Sequence, residues 1–257
     1  MLMLYFSGTG NSKYIAEMFS RNMDAVCHSI EEEIDFDKLI NSNETIGFCY
    51  PIYASRVPRI LREFVNKHID ALKSKKLIIF CTQLIFSGDG TRAFIDLLPR
   101  GHTHVIYSEH FYMPANTPNL KILPYILMND KMIRRLCKKA EREMQDVCNN
   151  IKSGKIKKRG FCIGSRMAGL LQAWIVPLME KSANMRKSIK ISKACDNCGV
   201  CVARCPMKNL AIEDNAVKHK YNCTTCYRCV NKCPQKAITV VFHGKVKKQY
   251  KGMISIK

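Results

Sequence analysis

The chain has 257 residues, 47% hydrophobic and 25% charged, an ordinary soluble composition long enough for one large domain or two smaller ones with a buried core. Lys and Arg number 42 against 21 Asp and Glu, a formal charge of +21, and there are 14 cysteines. Residues 1–6, MLMLYF, lack the basic flank and length of a secretory signal, and no run of ~18 apolar residues occurs, so neither export nor a membrane span is expected. A chain kept in the cytoplasm holds its thiols reduced, so the cysteines point to metal or redox chemistry rather than to disulfides.

In chain order, MLMLYF reads as a short apolar strand, followed by a glycine loop and by KYIAEMFSRN, whose Tyr14, Ile15, Met18 and Phe19 have helical spacing. DAVCHSI fills a second strand position. ETIGFCYP at 44–51 is a third, followed by the helix RVPRILREFVNKH with Val57, Ile60, Leu61, Phe64 and Val65 on one side. KLIIFCTQ at 76–83 is a fourth, followed by SGDGTRAFIDLL, and THVIYSEHFYM at 103–113 fits a fifth. Apolar strands alternating with amphipathic helices imply a parallel sheet covered on both faces. Five strands within residues 1–113 are the size of a flavodoxin-like, doubly wound α/β domain, in which ligands bind at the loops leaving the carboxyl ends of the strands.

Residues 114–185 read as a helical bridging region. PANTPNLKILP is an extended connection, KMIRRLCKKAEREMQDVCNNIKSG a strongly periodic helix ending at glycine, and MAGLLQAWIVPLM at 167–179 a buried or amphipathic helix. Residues 186–257 form a third unit with a basic C-terminal tail. From Met185 onward there are 16 Lys and Arg against 3 Asp and Glu. Such a field steers acidic partners and makes association salt-dependent. No nucleic-acid-binding motif accompanies the charge, so nucleic acid is not the expected partner.

The strongest signal is a run written twice, C-x2-C-x2-C-x3-C-P. It uses Cys195, Cys198, Cys201 and Cys205 before Pro206, then Cys223, Cys226, Cys229 and Cys233 before Pro234. Three thiolates two residues apart grip one iron–sulfur cubane, and the fourth points away to the other cluster. The expected ligand sets are therefore Cys195, Cys198, Cys201 and Cys233 for one [4Fe–4S] cluster, and Cys223, Cys226, Cys229 and Cys205 for the second. A zinc ribbon needs neither the third cysteine nor the C-P terminus. The run resembles a bacterial-type two-cluster ferredoxin module of the small α+β kind. Cys27, Cys49, Cys81, Cys137, Cys148 and Cys162 show no ligand spacing, and the first three read as packing residues within strands.

The glycine loop is SGTGNS, residues Ser7, Gly8, Thr9, Gly10, Asn11 and Ser12. It fits neither the P-loop, G-x4-G-K-[ST], nor G-x-G-x-x-G, since position 13 is Lys. It resembles the [ST]-x-T-G-x-[ST] phosphate loop of flavodoxins, in which hydroxyls and helix-start N–H groups hold the FMN phosphate. Two further strand ends match that reading. Tyr50, Pro51, Ile52, Tyr53 and Ala54 follow the third strand, where Tyr50 or Tyr53 would stack on the flavin ring. Thr82, Gln83, Ser87, Gly88, Asp89 and Gly90 follow the fourth, where amides would reach the ring's polar edge.

With YFSGTGNS at the start, YPIYASRVP inside and the double cysteine run at the end, the chain resembles the EFR-type flavodoxin–ferredoxin fusion proteins of anaerobic bacteria. The resemblance spans residues 1–113 and 187–241. It implies an FMN and two [4Fe–4S] clusters that transfer electrons within one chain, between two-electron and one-electron partners. The strong positive charge departs from free flavodoxins and ferredoxins and points to acidic redox proteins, ferredoxin- or flavoprotein-type, as partners. Two other readings stay open: a reductase in which 114–185 shapes a pocket over the flavin, and a redox or oxygen sensor acting through the tail HGKVKKQYKG. Arg204, Lys208, Arg228 and Lys232 are expected to raise the cluster potentials by their charge. No acid/base pair or nucleophile constellation is visible.

Overall fold

A computed structural model describes residues 1–53, 56–84, 88–99, 101, 104–119, 129–171, 189–241 and 243–253. Its main element is a parallel sheet in the order β2-β1-β3-β4-β5-β6, built from β1 (Leu2–Tyr5), β2 (Val26–Ser29), β3 (Thr45–Pro51), β4 (Lys76–Gln83), β5 (His104–Tyr112) and β6 (Lys157–Lys158). The five expected strands are all present, and β6 extends the sheet to six. A two-residue, doubly charged edge strand leaves no hydrophobic pattern to read.

Side chains alternate between the two faces, as strand geometry requires. Leu2, Leu4, Phe6, Phe48, Tyr50, Leu77, Ile79 and Cys81 pack on one face with α2 (Phe36–Asn41), α3 (Arg59–Lys67), α4 (Ile69–Leu72) and α5 (Arg92–Ile95). Met3, Cys49, Ile78, Phe80, Tyr107 and Phe111 pack on the other with α1 (Asn11–Met23) and α6 (Asp130–Lys152). Helix α6 starts cleanly because the Asn129 side chain accepts the Met132 N–H at 2.7 Å. It buries Ile133, Ala140, Met144, Val147 and Cys148 as a stripe on the sheet side. The region read as a bridge thus supplies a covering helix and an edge strand to the sheet, because the exposed flank of β5 needs both. Residues 120–124 of the extended connection and 172–179 of the apolar segment lie outside the described residues.

The C-terminal module is small. Strands β7 (Ile189–Ile191) and β10 (Ile238–Val240) pair antiparallel, as do β8 (Leu210–Glu213) and β9 (Ala216–His219). Short helices α7 (Val200–Ala203) and α8 (Arg228–Lys232) follow the two cysteine loops. The repeat in cysteine spacing extends to parts of the backbone. Left-handed residues recur 28 positions apart: Asn197 and Thr225 (both φ 56°), Gly199 (73°) and Tyr227 (58°), Lys208 (48°) and Lys236 (52°). Glycine adopts this conformation freely, whereas a β-branched Thr225 does so only where its surroundings over-determine it.

Candidate functional site

The loops after β1, β3 and β4 meet at one end of the sheet. Gly10, at φ 106°, is the N-cap of α1, and its N–H donates to Ser7 Oγ at 3.0 Å. The first N–H groups of α1 have no acceptor within the helix, the usual arrangement for holding an anion. Ser12 Oγ and Thr82 Oγ1 share a hydrogen bond of 2.8 Å, tying the first loop to β4. The Thr9 hydroxyl and Gln83 Oε1 are buried without a hydrogen-bond partner. Asn11 is fully engaged: its Nδ2 donates to Pro114 O at 2.9 Å and its Oδ1 accepts from the Tyr250 hydroxyl at 2.6 Å.

Several expected flavin contacts sit differently. Tyr50 is fully buried, 5.7 Å from Phe94 in a stacked arrangement, with its hydroxyl donating to Gly90 O at 2.9 Å. It is a core residue that props the β4 loop from beneath, because it shares the strand face of Phe48. Tyr53 reaches the glycine loop instead, and burial followed by the nearby Cys226 thiolate pushes its phenol well up. Pro51 is buried at the end of β3, and Ile52 N–H donates to Thr82 O at 3.0 Å. Asp89 is turned away from the glycine loop. Its Oδ2 accepts from Arg92 at 3.3 Å, and a Cβ at Gly169 would lie 1.9 Å from its Oδ1. Gly88 takes a left-handed turn at φ 56° beside it. Ala54 and Ser87 lie outside the described residues.

In the C-terminal module, Cys205, Cys223, Cys226 and Cys229 line one cavity, together with Thr224 and Asn209. It is small and partly open to solvent. Thr224 Oγ1 and Asn209 Nδ2 are buried without partners. Burial pushes Cys223 up to about 11 and Cys226 up to about 12, and the Cys205 thiolate is among the charges raising both, as it is for Cys229. Binding a metal there would require these thiols to lose their protons, so uptake would release protons. Backbone N–H groups already point at the sulfurs: Asn209 to Cys205 Sγ and Thr225 to Cys223 Sγ, both 3.2 Å, and Ala237 to Cys233 Sγ at 3.3 Å. In the other set, burial raises Cys201, with Cys233 and Cys195 among its charged neighbours. Cys198 is exposed, its N–H on Asp196 Oδ1 at 3.2 Å. Among the described residues no three His, Cys, Asp or Glu are grouped so as to hold a single metal ion.

Residues 2–123 match the family model of a flavodoxin domain, and residues 187–234 match that of a 4Fe-4S dicluster domain. The chain is a flavodoxin–ferredoxin fusion. None of the curated proteins compared matches it. Similar solved structures include two-electron reduced Megasphaera elsdenii flavodoxin, 22% identical, covering 55% of this chain and 99% of that one with a TM-score of 0.39. A Lactobacillus acidophilus flavoprotein in complex with FMN is 14% identical, over 42% and 91%, TM-score 0.35. Treponema denticola general stress protein 14 in complex with FMN is 12% identical, over 58% and 96%, TM-score 0.43.

In the fusion, the two modules touch at the glycine loop. A Cβ on Gly8 would lie 2.5 Å from both the Cys226 carbonyl oxygen and the Tyr53 hydroxyl, so only glycine allows this approach. Arg228, two residues past Cys226, spans the seam. Its Nη1 and Nη2 donate to the Glu31 carboxylate at 2.8 and 2.7 Å, Nη2 also to Ser7 O at 2.8 Å, and Nε to Gly8 O at 3.2 Å. The charge expected to act on the clusters from Arg228 is therefore paired, while Arg204, Lys208 and Lys232 are exposed. The C-terminal tail is docked as well. Gln249 donates to Val230 O and Cys233 O, Tyr250 N–H to Asn231 Oδ1, and Gly252 lies against Thr9. Glu31 and Tyr250 carry no mark in the sequence, since nothing in SIEEEI or in a lysine-rich tail signals contacts 197 and 239 positions away.

Proposed function

We propose that the fusion transfers electrons between an FMN held by the loops after β1, β3 and β4 and two [4Fe–4S] clusters held by the cysteine runs, exchanging them with acidic redox proteins. The contact of Gly8 with Cys226 carries this reading: the loop suited to a flavin phosphate packs directly on a loop suited to a cluster. The glycine loop fits the phosphate because the α1 N-terminus has no side-chain cap, Gly10 takes the left-handed cap and the buried Thr9 hydroxyl lacks a partner. The second cysteine set fits a cubane because its four thiols line one cavity whose orphan donors, Thr224 and Asn209, are placed to serve sulfide.

When bound, the flavin supplies two-electron chemistry and each cluster one-electron chemistry; the chain supplies position and tuning. Ser7, Gly8, Thr9, Gly10 and Ser12 would hold the phosphate, with Asn11 locking the loop to residues 114 and 250. Thr82 and Gln83 would serve the ring edge, and Tyr53 would stand between ring and cysteine loop. Cys205, Cys223, Cys226 and Cys229 would hold the cluster nearer the loop, and Cys195, Cys198, Cys201 and Cys233 the other. N–H groups on Cys205, Cys223 and Cys233 would stabilise added negative charge. The division proposed is 1–113 for the flavin domain, 114–185 for the bridging region and 186–257 for the ferredoxin module, in a cytoplasmic protein. The use of 130–158 to cover and extend the sheet leaves less of the bridge for a reductase pocket.

Anaerobic purification with iron, sulfide and flavin analysis tests the proposal. About eight irons and one FMN per chain are expected. Eight irons with no flavin after reconstitution would reduce the sheet domain to a scaffold, and flavin without iron would remove the clusters.

A further inference from the structure

Among the described residues, nine large apolar or aromatic side chains are exposed, and five of them fall between residues 156 and 171. Residues 163–171 are helical. Ile163, Met167, Leu170 and Leu171, exposed by 80, 67, 60 and 59%, take positions i, i+4, i+7 and i+8 and so share one face. The opposite side is pinned: Gly169 is buried against Asp89, and any larger residue there would collide with the carboxylate. The packing that holds the helix to the β4 loop is what turns its apolar face outward.

Along the chain on either side of the helix the charge is of one sign. Between Val147 and Met179 there is no acidic residue, against Lys152, Lys155, Lys157, Lys158, Arg159 and Arg166. Lys157 and Arg159 are paired with Glu109, and Lys152, Lys155, Lys158 and Arg166 are exposed. Whatever covers the face must therefore be apolar beneath and anionic around the rim. A second copy fails the second condition, since each chain carries +21. Nucleic acid fails the first. An acidic redox protein could meet both at a small patch, but a bilayer with anionic headgroups meets both and accepts all four apolar side chains along the helix at once.

We propose that the helix at 163–171 seats the chain on an anionic lipid surface, its Ile163, Met167, Leu170 and Leu171 face entering the acyl boundary while the exposed lysines and Arg166 lie among the headgroups. No described helix is long and apolar enough to cross a membrane, so the association is peripheral.

The test is flotation of the full-length holoprotein with phosphatidylglycerol–phosphatidylcholine vesicles, beside pure phosphatidylcholine, at low and high salt. Wild-type protein should float with the anionic vesicles and be released by salt. Met167→Glu with Leu170→Glu should lose affinity on the order of 100-fold, with unchanged visible absorption and far-ultraviolet circular dichroism. Lys155→Gln with Lys158→Gln should weaken binding by about fivefold per lysine and reduce its salt dependence. Failure to float with anionic vesicles, equal flotation with neutral ones, or flotation untouched by the glutamate pair would each overturn the proposal. So would a salt-stable dimer in sedimentation velocity that the glutamate pair dissociates, which would assign the face to a second copy.

Discussion

Replacing Arg228 by alanine should loosen the seam between the two modules before either module unfolds. An exposed ion pair contributes less than about 1 kcal/mol, whereas removing one partner of a fully buried pair costs about 3–5 kcal/mol. With side-chain exposures of 19% for Arg228 and 25% for Glu31, the pair stands between these limits. The N–H donors to Ser7 O and Gly8 O are lost at the same time, at about 1 kcal/mol each before water replaces them. About 3 kcal/mol is the expected total, discounted for solvent at both ends. Anaerobic urea unfolding, followed in parallel by visible absorbance and far-ultraviolet circular dichroism, reads it directly. In the wild type the two transitions should coincide; in Arg228→Ala the visible one should move to lower urea. Combining it with Glu31→Gln should give a coupling of about 1–2 kcal/mol in a double-mutant cycle. A change below about 0.5 kcal/mol, or strict additivity with Glu31→Gln, would refute the clamp.

Gly8→Ala should cost about 1–3 kcal/mol, seen as a lower melting temperature and reduced flavin retention, because its Cβ meets the Cys226 backbone carbonyl, which has less room to yield than the Tyr53 hydroxyl. Cys205→Ser and Cys223→Ser should leave the same residual cluster spectrum with about four irons, and Cys233→Ser the complementary one; iron assay and electron paramagnetic resonance would expose any other grouping. Burial, aided by Arg159, pushes His110 down to about 4, so it is neutral in the folded chain while the unfolded chain binds a proton near its ordinary value. Stability from this group is present above that ordinary value and lost as pH falls towards 4, by about 2 kcal/mol between pH 7 and pH 5. Urea midpoints at the two pH values should show this slope flattened in His110→Gln, and an unchanged slope would remove His110 as its source.

The sheet was legible because its strands are buried on both faces and written as apolar runs, and the cluster ligands because iron–sulfur chemistry fixes cysteine spacing. Even the placement of Tyr50 had a signal: it shares the i, i+2 parity of Ile46 and Phe48 along β3, and that parity sends it into the core. Strand β6 carried no such signal, for Lys157 and Lys158 join the sheet through backbone pairing and the Lys157–Glu109 ion pair, with no apolar side chain to read. The clamp was illegible for a different reason. Arg228 and Glu31 lie 197 positions apart, and each looks like an ordinary solvated charge until the fold places them 2.7 Å apart. In the same way, Thr225 and Tyr227 gave no local hint of left-handed backbone, which only their counterparts Asn197 and Gly199 suggest.

The hydrogen bond from Tyr250 to Asn11 joins residues 239 positions apart, almost the two ends of the chain. Synthesis runs from the amino end, and domains generally fold as units in that order. The glycine loop leaves the ribosome long before the arginine that grips its carbonyls, 220 positions on from Gly8, and the tyrosine that locks its asparagine, 239 positions on from Asn11. A newly made sheet therefore waits with its ligand loop ungripped until the cysteine module has emerged, and the cavity thiols and the loop beside them mature together.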